Sequence, residues 1–145
     1  MNSAISSYLP ALLLTVIVAC SNTPEELVID EDLLGVVWRV DTLQTPEEEI
    51  VPGADTLMVL QFLNDTRVGA DTPCNDYSGT YKINNDGSFA IVWHSWTEMA
   101  CMGRPGTLEG RFIKALKNAS VYDLSESTLT LYDSDRRYVV KLNHE

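Results

Sequence analysis

The sequence predicts an α+β fold: a mostly antiparallel β-sheet, partly closed like a barrel, with one late α-helix packed against it. Three observations carry that expectation. From residue 33 onward most apolar residues alternate with polar ones at period two, as half-buried strands require. Compact Asn, Asp and Gly turns separate several of these runs. Helical spacing is convincing in one segment only, and it comes late.

Residues 33–43 hold Val36, Trp38 and Val40 at period two with Arg39 and Asp41 between them, a half-buried strand. Residues 44–55 carry Pro46, Pro52, Gly53 and the run Glu47-Glu48-Glu49, and read as a loop. Residues 56–63 are apolar at nearly every position, which predicts a strand covered on both faces. Asn64-Asp65 turns that strand into a hairpin partner at residues 66–69. Tyr77, Gly79, Tyr81 and Ile83 alternate along the next strand. Asn84-Asn85-Asp86-Gly87 then turns the chain, because these residues tolerate positive φ. Phe89, Ile91 and Trp93 alternate on the way back. After Gly103, Pro105 and Gly106 the period changes: Leu108, Phe112, Ala115, Leu116 and Ala119 fall on one helical face, with Thr107 available as N-cap. Two strands close the domain, one marked by Leu129 and Leu131, the other by Tyr138, Val140 and Leu142. Trp38, Phe62, Tyr81, Ile91, Phe112 and Leu131 are expected in one core.

With 145 residues the chain is long enough for one domain with a real core, and its net charge is −11. So acidic a surface repels phosphates, which argues against a nucleic-acid partner. No charged side chain precedes Glu25. Residues 9–19 are apolar apart from Thr15 and contain Pro10. That run is too short to span a bilayer, which takes about 20 residues, and suits a signal-peptide core of about 7–15. It ends in Ile17-Val18-Ala19-Cys20, similar to the bacterial lipobox, in which the cysteine is acylated and becomes the first residue after cleavage. The expected organisation is a signal peptide over 1–19, a lipidated acidic tether over 20–32 and a folded domain over 33–145. Cys20 would hold the protein to the membrane without a spanning segment. Ser21, in place of an Asp retention signal, directs the expectation to the outer membrane, facing the periplasm.

Four segments carry a family resemblance. They are Leu34-Gly35 with Trp38-Arg39-Val40; Cys74-Asn75 with Tyr77, Gly79 and Tyr81; Thr97-Glu98-Met99-Ala100-Cys101 with Glu109, Phe112, Ala115 and Leu116; and Tyr122, Leu124, Leu129, Leu131 and Asp133. In this order they resemble the META/HslJ family. The chain has Pro73 where the family commonly has Gly, and Glu98 where it commonly has Arg. The resemblance implies a small β-rich envelope domain, often a lipoprotein, associated with stress tolerance, drug resistance and secretion. It implies no particular reaction.

With Cys20 assigned to lipid, Cys74 and Cys101 remain, and an even pair in an exported domain is expected to oxidise. The bridge would staple both ends of the hairpin between them. Two chemical alternatives use the same residues. One makes a cysteine a nucleophile with His94 as base, oriented by Asp76 or Glu98. The other assembles zinc on Cys74, His94, Cys101 and Asp76, without the short Cys-x-x-Cys spacing usual for such sites. Neither displaces the disulfide, so no catalytic residue, metal ligand or cofactor is assigned. Asn75, Tyr77, Trp93 and Trp96 are the candidate contacts for a ligand or partner, an unidentified envelope protein or lipid. The expected role is non-enzymatic binding or support of another envelope component. The alternative is a carrier of lipid or a small apolar ligand in a cavity of the β-rich domain.

Overall fold

A computed structural model describes residues 30–144. The expected signal peptide, Cys20 and the apolar patch Leu27-Val28-Ile29 lie outside the described residues. The chain enters through a 3-10 turn at Glu31–Leu33, capped by the Asp30 carboxylate accepting from the Asp32 N–H. Nine strands follow: β1 (Val37–Gln44), β2 (Glu49–Ile50), β3 (Val59–Phe62), β4 (Arg67–Asp71), β5 (Asp76–Ile83), β6 (Phe89–Trp96), β7 (Val121–Ser125), β8 (Thr128–Tyr132) and β9 (Val139–Asn143). The helix α1 (Arg104–Asn118) lies between β6 and β7.

The strands form one sheet in the order β6-β5-β4-β3-β1-β9-β8-β7, with β2 added to the end of β1. Every strand pairing is antiparallel. The sheet curls until its two end strands meet at one point. Ser88 bridges Val121, and the Phe89 N–H donates to the Ser120 carbonyl at 2.8 Å. Beyond that point β6 and β7 part, and α1 fills the gap by packing on β6, β8 and β9. This is the partly closed barrel with a covering helix that the strand pattern predicts.

The interior is filled by side chains. Trp38, Phe62, Phe112, Leu43, Leu60, Leu116, Leu129 and Leu142 are fully buried. Leu33 joins them from the entry turn, where its carbonyl accepts from the Trp38 indole at 3.4 Å. The Phe62 ring meets Tyr81 edge-on at 4.7 Å and faces Phe89 at 6.3 Å. Trp38, Phe62, Tyr81, Ile91, Phe112 and Leu131 share one contiguous core, as the periodicity predicts. A barrel of about eight strands is just wide enough for side chains to fill it, and these side chains form the core here.

Four local expectations are corrected. The helix begins at Arg104, not after Thr107; Gly103 is its N-cap, Pro105 sits in the first turn, and the Thr107 hydroxyl donates back to the Gly103 carbonyl. Proline at the start of a helix loses no hydrogen bond, so the Gly103-Arg104-Pro105-Gly106 stretch opens the helix where a loop was expected. The acidic loop contains the short β2, held because Thr45 caps the turn by bonding Glu47 and Glu48. The run at 56–63 is covered on both faces only over Met58–Phe62; Leu57 and Leu63 are about half exposed. Val121–Ser125 is a third closing strand, whose partly exposed alternation was too weak to recognise.

Candidate functional site

Two of the four segments that carry the family resemblance, that of Cys74-Asn75 and that of Thr97–Cys101 with Glu109, meet at one end of the barrel, around the start of α1. Cys74 follows β4, Cys101 follows β6, and the two are joined by a disulfide with a Cα–Cα distance of 5.9 Å across 27 residues. That distance suits an unstrained backbone path between them. The bridge closes the β5–β6 hairpin at its open end. The first turn of α1 packs against the same point: a Cβ at Gly106 would collide with the Cys101 carbonyl.

Asn75 ties three elements together. Its Oδ1 accepts from the Thr97 hydroxyl at 3.0 Å and the Met99 N–H at 2.7 Å. Its Nδ2 donates to Glu109 Oε1 at 2.8 Å and reaches the Met99 carbonyl at 3.4 Å. Glu109 comes from the inner face of α1 and is almost completely buried. Its Oε2 accepts from the Thr72 hydroxyl at 2.6 Å and the Asn75 N–H at 3.0 Å. Its Oε1 also accepts from the Tyr77 hydroxyl at 2.8 Å. Four donors therefore meet two carboxylate oxygens, an arrangement that suits an ionised acceptor. Burial pushes the Glu109 carboxyl up, but the bonds from Thr72, Asn75 and Tyr77 together outweigh it and hold the group below its ordinary 4.5. Burial first, and then the bond to Glu109 and its negative charge, push the Tyr77 phenol up to about 12.

Beside this network stands an aromatic group. The Tyr77 ring lies against Trp93 edge-on at 5.6 Å and against Trp96 nearly parallel at 6.2 Å. Simple alternation would put Trp93 and Trp96 on opposite faces of β6. The register shifts here: Gly79 pairs with Trp93 and Ser78 with Ser95, so His94 is an extra residue on β6. The bulge returns Trp96 to the face of Tyr77. Gly79 makes room, since a Cβ there would collide with the Val92 carbonyl and the Trp93 ring. The buried Trp93 Nε1 has no acceptor among the described residues. Trp96 is half exposed, and the segment after it leaves Met99 62% and Met102 91% exposed.

Of the predicted site residues, Cys74 and Cys101 form the expected disulfide. Asn75 is buried and spends its amide inside the domain. Tyr77, Trp93 and Trp96 lie together, with only Trp96 well exposed. His94 sits on the outer face with its Nε2 2.9 Å from the Thr80 hydroxyl. Both sulfurs are in the bridge, so the thiolate nucleophile and the thiolate metal site have no free thiol here. Among the described residues no group of three or more His, Cys, Asp or Glu is placed to hold a metal ion. Glu109 and Thr72 went unassigned in the sequence. The available signal was an acid flanked by Leu108 and Phe112 on the apolar face of the helix.

Fold and site together define a small α+β half-barrel braced at one end by the Cys74–Cys101 bridge and the Asn75–Glu109 network. The chain belongs to the META domain family, whose model matches residues 31–145. Solved structures share the fold at low sequence identity. A DUF4847 family protein from Bacteroides vulgatus superposes with a TM-score of 0.63 at 14% identity, over 81% of this chain and 98% of that one. A protein from Burkholderia xenovorans gives 0.62 at 18% identity, over 97% and 99% of the two chains. No curated protein matches the chain.

Proposed function

We propose that the protein is a non-enzymatic bacterial envelope lipoprotein, anchored through Cys20 on the periplasmic face of the outer membrane. It supports stress tolerance or secretion by docking another envelope component on the loop from Trp96 to Met102. The observation that carries this reading is the contrast between the two sides of that loop. Its inner side is fixed by the disulfide and by Asn75, whereas its outer side offers an aromatic and two thioether side chains to solvent. Holding exposed apolar groups on a braced backbone lowers the ordering cost of binding, and Met and Trp are favoured contact residues at interfaces.

The direction of the tether supports the reading. The Tyr122 hydroxyl bonds Asp30 at 3.4 Å, and its ring lies 6.2 Å from Phe89, at the start of β6. Trp96 ends the same strand, roughly 23 Å further along at about 3.3 Å per residue. A domain anchored near its first described residue would thus carry the loop on its far side. The test is photo-crosslinking in intact envelopes from position 102, with position 82 on the outer face of β5 as control. A discrete adduct from 102 alone, lost in Trp96→Ala, is the expected result. Equal adducts from both positions would refute the docking site. Membrane retention of Cys20→Ala, with no acyl mass on the wild type, would refute the anchor.

A further inference from the structure

On the other side of the disulfide, a surface groove of about 340 Å³ runs between the segment before β3 and the first turn of α1. Its floor is apolar, made of Leu57, Pro73, Pro105 and Leu108, with Asp55 and Arg104 at the charged positions. Leu57 is 46% exposed although it belongs to the most apolar run of the folded domain. The volume is near the lower end of ligand sites, which span about 300–1,000 Å³. The walls are fixed in place: the Thr72 hydroxyl is bound to Glu109, and Cys74, the residue after Pro73, is in the bridge.

The charge at the groove points to the sign of its ligand. Arg111 pairs with Glu48, and Arg137 with Asp133 and Asp135. Arg104 is exposed, and among the described residues no carboxylate lies within ion-pairing distance of it. Arg104 stands in the first turn of α1, which holds no acidic residue, so the positive end of the helix dipole adds to its charge at this end of the groove. We propose that the groove binds an amphiphile with one alkyl or acyl chain and a singly charged anionic head. The head pairs with Arg104 and the chain lies on Leu57, Pro73 and Leu108. Asp55 keeps the head at the arginine end by repulsion. A free fatty acid and a phosphate-headed lipid fragment share this chemistry.

The test titrates the isotope-labelled full-length chain, without detergent, with decanoate, decyl phosphate, decyltrimethylammonium and inorganic phosphate. Amide chemical shifts report the site. Decanoate or decyl phosphate should give saturable shifts at residues 56–57, 72–73 and 104–108, and the tighter of the two identifies the source of the head. Arg104→Gln should weaken binding about tenfold, as for loss of one charge-assisted contact. Leu57→Ser should weaken it as well. Both positions are exposed, so an unchanged Tm shows that the variants are folded. The cation binding as tightly as the anions would overturn the proposal. So would inorganic phosphate reproducing the shifts, Arg104→Gln binding unchanged, or an absence of saturable shifts below micelle formation.

Discussion

Replacing Glu109 with glutamine preserves its shape and removes its charge, and the structure sets the size of the effect. Two of the four donors on the carboxylate are hydroxyls, which can rotate and accept. The other two, the Asn75 N–H and Nδ2, cannot, and they sit on different oxygens. A glutamine has one oxygen, so whichever way it turns its NH₂ faces one fixed donor. Asn75 cannot flip to help, because its Oδ1 already accepts from Thr97 and Met99. The Asn75 N–H keeps a second acceptor in the Thr72 hydroxyl at 3.0 Å, which makes Nδ2 the costlier loss. A charge-assisted bond contributes about 1.5–3 kcal/mol and a stranded buried donor costs about 1–3. Glu109→Gln should therefore destabilise the domain by about 2–4 kcal/mol, read by urea unfolding, with a Tm about 10 °C lower. The pH dependence follows from the direction of the shift. The folded-state pKa is depressed, so this stabilisation is present above 4.5 and is lost as pH falls through the folded value. The gap between wild type and variant should be constant near neutrality and narrow below pH 4.5. A loss under about 0.5 kcal/mol, or a gap independent of pH, would refute the assignment of Glu109 as an ionised brace.

Reduction of the Cys74–Cys101 bridge should lower the Tm, and either Cys→Ala variant should cost roughly 3–4 kcal/mol on the loop-entropy model, with the double variant no worse. Two free thiols in protein taken directly from the envelope would contradict it. Phe112→Ala should cost about 3–5 kcal/mol in chemical denaturation, since the ring is fully buried where α1 covers the sheet. Tyr77 should resist ionisation in an ultraviolet titration of the phenols, remaining neutral until about pH 12. A phenol raised in the folded state adds stability below its unfolded value of 10.0 and loses it as pH rises through the folded one, so Tyr77→Phe should remove that part of the alkaline destabilisation.

The sheet was legible because period-two runs such as Tyr77–Ile83 and Phe89–Trp93 answer directly to burial on one face. The helix was legible from its apolar stripe, but its start was not, because Gly103-Arg104-Pro105-Gly106 reads as a turn in isolation and becomes helical only when packed on Cys101. The disulfide followed from compartment and cysteine parity. The role of Asn75 did not, since a turn residue and a buried bridge between strand and helix have the same local sequence. Trp96 shows the limit most clearly. Strict alternation assigns it to the outer face, and only the extra residue at His94 returns it to Tyr77. A bulge changes the parity of every residue after it and leaves no mark on composition.

The central strand has a consequence for when the domain can form. β1 is the first strand in the chain, yet its full-length neighbour is β9, the last, with Arg39 opposite Asn143 and Gln44 opposite Val139. These partners are roughly a hundred residues apart, and pairings so distant slow folding because the loop must close before any contact rewards it. The middle of the sheet cannot be completed until β9 has been made. A chain still being synthesised therefore cannot close its centre, and the order of the strands makes folding of the whole sheet an event that follows synthesis of β9.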